Sequence, residues 1–155
     1  MVTEFKKVFI DTAPFIYFLE NNPQYHKCVT LFFERCCEQE IELLTSAITI
    51  EEYCVYPYRT DNTELIAKFH SFLEDMEIDI VPIDKEIARK AAEIRAKYRD
   101  FKAMDALQLA AATMTGCKLF LTNDKQLRQY SDVKCVVLDE LRKSKQSGKH
   151  GEITE

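Results

Sequence analysis

The chain has 155 residues, of which 46% are hydrophobic and 30% charged. That is the composition of a globular domain, and a domain of this size buries roughly 68–70% of its unfolded surface around one core. Its 26 Asp and Glu against 21 Lys and Arg give a formal charge of -5, which counts against a broad basic face for nucleic acid.

The first short apolar run is Lys7–Ile10, and Phe15, Phe18 and Leu19 after it mark an amphipathic helical turn. A helix is expected over Tyr25–Glu38, a strand over Ile41–Thr45, helices over Ile48–Tyr58 and Thr63–Met76, and a third strand over Ile78–Pro82. Lys85–Tyr98 reads as a charged surface helix with Ile87, Ala91 and Ile94 as its apolar stripe. Met104–Met114 is apolar nearly all round, interrupted by Asp105, Gln108 and Thr113, so a central, buried helix is expected there. Strands over Lys118–Leu121 and Val133–Leu138 follow, with a short helix to Tyr130 between them. All five strands have the length of strands buried on both faces. The alternation of strands and helices predicts an α/β fold with a mostly parallel five-stranded sheet. One domain is expected over residues 1–141, with a polar, disordered tail over 142–155.

Several chemistries are excluded early. No apolar run approaches the roughly 20 residues of a membrane span, and the three apolar residues after Lys7 are too few for a secretory signal, so a cytoplasmic location is expected. Only Gly116 lies in the folded body, too little for a glycine-rich phosphate loop. The cysteines (Cys28, Cys36, Cys37, Cys54, Cys117, Cys135) form no C-x-x-C pair, and His26, His70 and His150 have no zinc spacing. Reduced, mostly buried thiols are expected.

The acids carry the functional signal. Asp11 and Asp124 follow the first and fourth strands, and carboxyl ends of parallel strands share one edge, where ligand crevices form. Glu51 and Glu52, in the first turns of the third helix, can overhang that edge, and Asp105 opens the apolar helix. Helix phase alone does not choose between Glu51 and Glu52. Converging carboxylates repel one another in a low-dielectric cleft, and a hard divalent cation such as Mg²⁺ or Mn²⁺ would compensate them and serve phosphodiester hydrolysis. Each acid also has a plainer reading: Asp11 and Asp124 could cap helices, while Asp84 and Asp139 are expected to be caps or surface residues.

Four blocks in order, Val8–Thr12, Ser46–Glu52, Met104–Ala112 and Leu119–Asp124, resemble PIN-domain ribonucleases, and among these the VapC-like toxins of toxin-antitoxin pairs. The resemblance runs from about residue 7 to 140 and implies a three-layer α/β/α sandwich. It implies Asp11, Glu52, Asp105 and Asp124 as catalytic and metal-binding acids, with Glu51 as fallback for the second. Thr12, Thr122 and Asn123 match supporting polar positions. Gln108 stands where many relatives carry His, which bears on finer substrate contacts. The implied activity is Mg²⁺- or Mn²⁺-dependent endonucleolytic cleavage of RNA by a homodimer, inhibited by a small antitoxin. Seven basic residues between Lys85 and Lys102 could meet RNA, although a solvated face with internal ion pairs is the plainer account. Tyr53, Tyr56 and Tyr58 are expected in the core or a dimer surface, with base stacking the alternative. An inactive PIN fold acting as an RNA- or protein-binding module is the competing function. Phosphoryl transfer on Asp11 is disfavoured because Ala13 stands where a second Asp is needed.

Overall fold

The computed structural model describes residues 5–147. Its strands are β1 (Lys7–Ile10), β2 (Glu42–Ser46), β3 (Asp79–Val81), β4 (Leu119–Thr122) and β5 (Lys134–Val137). Its helices are α1 (Thr12–Leu19), α2 (His26–Glu38), α3 (Ala47–Arg59), α4 (Thr63–Asp75), α5 (Lys85–Lys97), α6 (Ala103–Met114) and α7 (Leu138–Ser147), with a 3₁₀ turn over Lys125–Gln129. All strand pairs are parallel, in the order β3-β2-β1-β4-β5. None of the helices among the described residues is long and apolar enough to cross a membrane.

Period-two alternation divides the sheet's side chains between two cores. Val8, Ile10, Leu119 and Leu121 join Phe15, Phe33 and Phe69 on one face, while Phe9, Leu44 and Phe120 join Ile87, Ile94 and Leu109 on the other. Phe9 is in register with Phe120 on the neighbouring strand, and their rings stack with centroids 5.3 Å apart. Each such side chain, buried completely, contributes about 1.5–3 kcal/mol. The two helical layers therefore clamp β1 and β4, the strands whose carboxyl ends carry Asp11 and Asp124. The chain leaves β1 toward β2 on one side and returns to β4 on the other, so a topological switch point lies between β1 and β4.

Two expectations change here. β3 is an edge strand whose Asp79 and Ile80 are exposed, not a strand buried on both faces. The proposed boundary at 141 falls inside α7, and the expected disordered tail is helical through Ser147. Leu141 packs against the core, Asp139 and Glu140 occupy the first turn, and Arg142 pairs with Asp139 at 3.7 Å, so a segment with little apolar content is still held in a helix. The remainder of the expected tail, 148–155, lies outside the described residues. Of the thiols, Cys37 is exposed and the other five are buried.

Candidate active site

Asp11 is fixed from several directions. Its backbone N–H donates to the Leu121 carbonyl at 2.9 Å, extending the β1–β4 ladder by one residue. As N-cap of α1, its Oδ1 accepts from the Thr12 backbone N–H at 2.8 Å, and Oδ2 accepts from the Thr122 hydroxyl at 2.8 Å. Thr122 in turn accepts from the Asp124 backbone N–H at 3.1 Å, while Asp124 Oδ1 caps the 3₁₀ turn through the Gln126 N–H at 3.0 Å. Glu52, on α3, accepts the Thr12 hydroxyl at 2.8 Å. Capping leaves room for a further role, because an ionised carboxylate offers about four lone-pair sites.

The electrostatics tie the four acids together. Burial pushes the Asp11 carboxyl up to about 6, the Thr12 and Thr122 donors oppose this, and the charges of Asp105 and Glu52 add to it. Asp105, half-buried in the first turn of α6, is also raised, first by burial and then by Asp124 and Glu52, with Lys102 acting in the other direction. Glu51 enters none of these interactions, so the neighbour of the buried acids is Glu52. The ion pairs among the described residues leave all four carboxylates out.

Gln108 departs from expectation. It is only 1% exposed, so it does not face a substrate. Its Oε1 accepts from the Ser46 hydroxyl, and its Nε2 lies 2.7 Å from Thr49 Oγ1 and 3.5 Å from Asp11 Oδ1. Buried Thr45 and Thr49 continue this polar cluster. The signal for it is present in sequence as Thr45, Ser46 and Thr49, hydroxyls at a strand end and helix start, but their burial is a property of the assembled layers. Asn123 donates to the Tyr17 hydroxyl at 2.9 Å, and Tyr17 stacks on Tyr25 at 4.8 Å. Asp84 caps α5 through the Ile87 N–H at 2.9 Å, and Asp139 accepts from the Tyr25 hydroxyl at 2.8 Å. Tyr53 stacks on Phe69 in the core, whereas Tyr56 and Tyr58 are exposed. Arg89 and Lys90 pair with Glu86 and Glu93 along α5, as the plainer reading of that helix expects.

No group of three or more His, Cys, Asp or Glu among the described residues stands ready to hold a metal ion. The chemistry of the donor set nevertheless fits a hard cation. Asp11 is buried with no basic partner among the described residues, acidic charges act on it, and oxygen donors suit Mg²⁺ and Mn²⁺. Mg²⁺ in particular keeps several waters and needs only one or two direct carboxylates. A cavity of about 450 Å³ lined by Cys36, Cys37, Glu42 and Met76 lies at the amino ends of β2 and β3, away from these acids.

Comparison with known proteins gives the family and the fold. The model of the PIN domain family matches residues 8–133. Ribonuclease VapC1 of Aquifex aeolicus (strain VF5) is 27% identical over 121 residues, covering 77% of this chain and 83% of the relative. Among solved structures, VapBC2 from Rickettsia felis, bound to a DNA fragment from its promoter, superposes with a TM-score of 0.71 at 14% identity, covering 84% of this chain and 98% of the other. Mycobacterium tuberculosis VapC20, a Sarcin-Ricin loop cleaving toxin, gives 0.63 at 13% identity over 81% and 98%. At these identities the structural likeness establishes the fold, a three-layer α/β/α sandwich around a parallel sheet.

Proposed function

The chain belongs to the PIN domain family, and from this we propose that it is a metal-dependent endoribonuclease acting as the toxin of a toxin-antitoxin pair. The observation that carries the reading is Asp11, buried at the switch point, near the charges of Asp105 and Glu52 and lacking a basic partner. Burying such a charge without a compensating cation is costly, and the α1 cap that Asp11 provides does not need the carboxylates of Asp105 and Glu52 beside it, so its placement supports a bound cation.

Asp11, Glu52, Asp105 and Asp124 are the residues that would hold Mg²⁺ or Mn²⁺. When bound, the cation supplies positive charge for the scissile phosphate and lowers the pKa of a water. The chain's own part is orientation. Thr12 and Thr122 hold the Asp11 carboxylate by both oxygens, and Thr12 also steers Glu52. None of the chain's histidines (His26, His70, His150) lies in the four acid-bearing segments, so one of the four carboxylates would take the proton of an attacking water. The nuclease unit is taken as the body from the N-terminus through α7, the working form as a cytoplasmic homodimer, and the inhibitor as a small antitoxin, in keeping with the toxin-antitoxin complexes that share the fold.

The test is cleavage of a labelled single-stranded RNA by purified protein. Cleavage should require Mn²⁺ or Mg²⁺, stop with EDTA, and fall at least about 100-fold in Asp105→Asn, since even groups that only contact metal ligands are worth 10–100-fold. Metal-independent cleavage, or full activity in Asp105→Asn, would remove the assignment. RNA binding with no cleavage under any metal would favour the inactive binding module instead.

A further inference from the structure

We propose that Gln108 is a positioning residue: its buried amide locks Asp11 to the start of α3, and so fixes the geometry of the first and second acids relative to each other. The proposal rests on the metal-dependent reading above and adds a residue that reading does not use.

Donor and acceptor capacity argues for it. Thr45 Oγ1 lies 2.7 Å from both the Ile10 carbonyl oxygen and Thr49 Oγ1. A carbonyl can only accept, so when the Thr45 hydrogen goes there, the hydrogen between the two threonines comes from Thr49. The Thr49 oxygen is then free to accept, and Gln108 Nε2 donates to it at 2.7 Å, while the Thr12 hydroxyl, 3.4 Å away, donates to Glu52 at 2.8 Å. The second N–H of the same amide points to Asp11 Oδ1 at a longer 3.5 Å. Oε1 takes the Ser46 hydroxyl, whose oxygen accepts from the Ile48 N–H at 3.1 Å and so caps α3. Position 108 therefore needs two donors and one acceptor on one side chain, a set that the primary amide provides. Glu would bring no donor when ionised, and Met would fill the space without either function.

The placement gives the amide its leverage. Gln108 lies three residues after Asp105 on α6, touches Asp11 beyond β1, and through Ser46 and Thr49 touches the first turn of the helix that carries Glu52. Three of the four acid-bearing segments thus meet at one buried side chain, and Thr122 links the fourth to Asp11.

Mn²⁺ affinity of the full chain without RNA, measured by the EPR signal of free Mn²⁺, tests this beside steady-state kinetics on a single-stranded RNA. Gln108→Met should weaken Mn²⁺ binding about 10–100-fold and lower kcat, with KM for RNA changed less than about twofold, because the residue touches no substrate. Wild-type Mn²⁺ affinity in Gln108→Met, or a raised KM with kcat unchanged, would overturn the proposal. If Gln108→Met does not fold, Thr49→Val and Thr49→Ser decide: weakened Mn²⁺ binding with Val restored by Ser supports it, and equal binding in both overturns it. Absence of Mn²⁺ binding by the wild type would bring down the metal reading and this proposal together, whereas loss confined to the variants leaves both standing.

Discussion

Asp11 combines the features that make a site residue recognisable by physics. It is 9% exposed, accepts from the Thr12 N–H and the Thr122 hydroxyl at 2.8 Å and from the Gln108 amide at 3.5 Å, and is still pushed up to about 6 because burial and neighbouring acids outweigh the Thr12 and Thr122 donors. Since its folded value lies above the ordinary 3.8, the folded protein binds the extra proton, and Asp11's own contribution to metal-free stability is fully present below pH 4 and is lost as pH rises through about 6. The full shift corresponds to roughly 3 kcal/mol, partly offset in Asp11→Asn by about 1 kcal/mol of altered hydrogen bonding. Asp11→Asn should therefore unfold with about 2 kcal/mol more stability than the wild type at pH 7.5 in EDTA, and the order should reverse by pH 4, where the carboxyl's penalty has fallen below the hydrogen-bond offset. Denaturant titrations at the two pH values check this, and equal stability at pH 7.5 would show the carboxylate to be compensated. The strand-end rule is enough to single out Asp11 and Asp124 in sequence, because β1 and β4 are short apolar runs with an obvious end. Glu52 and Gln108 are different cases. Choosing Glu52 over Glu51 needs the direction of the Thr12 hydroxyl, and the burial of Gln108 follows only from how α6 packs against β1 and α3.

At the level of elements, a recurrent helix ending positions the strands. After α2, α4 and α6 the residues Glu40, Glu77 and Gly116 adopt positive φ of 53°, 52° and 81°. The next residues, Ile41, Ile78 and Cys117, are buried and donate back to Cys36, Leu73 and Ala112 at 2.9, 2.9 and 3.0 Å, the pairing of a Schellman motif. Each helix is thereby turned into β2, β3 or β4 within a few residues. Two of these three positions hold Glu instead of Gly, which costs about 1–2 kcal/mol of backbone strain each. Glu77→Gly should accordingly raise Tm by about 2–4 °C, the shift expected per kcal/mol at this size, and Gly116→Ala should lower it similarly. At Gly116 an added Cβ meets nothing within 4 Å, so the effect there is conformational alone. Thermal melts in EDTA read both, and an unchanged Tm in both variants would contradict the motif's role. These endings are hard to read in sequence because Glu is a helix former and gives no stop signal. The C-terminal helix is obscured for the opposite reason: its polar composition hides the packing of Leu141 and the Asp139–Arg142 pair.

For the molecule as a whole, the charge of -5 weighs differently once the fold is known. Asp11 and Asp124 follow β1 and β4 at the carboxyl edge of the sheet, and the charges of Glu52 and Asp105 act on the same group of acids, so the total is a poor guide to the local field. The layered architecture is largely legible from the alternation of apolar runs and amphipathic stretches. The exception is β3, whose three residues at the sheet edge include an exposed Ile80 and whose apolar run suggests deeper burial than an edge provides. In the proposed function, the fold's part is to bring the charges of residues 11, 52, 105 and 124 within reach of one another. The most direct test of that claim is calorimetric titration of the RNA-free protein with Mn²⁺ at pH 7.5, comparing wild type with Asp11→Asn and Asp124→Asn. The account predicts saturable binding by the wild type that weakens at least about 10-fold in each variant. Equal binding by all three proteins would contradict it.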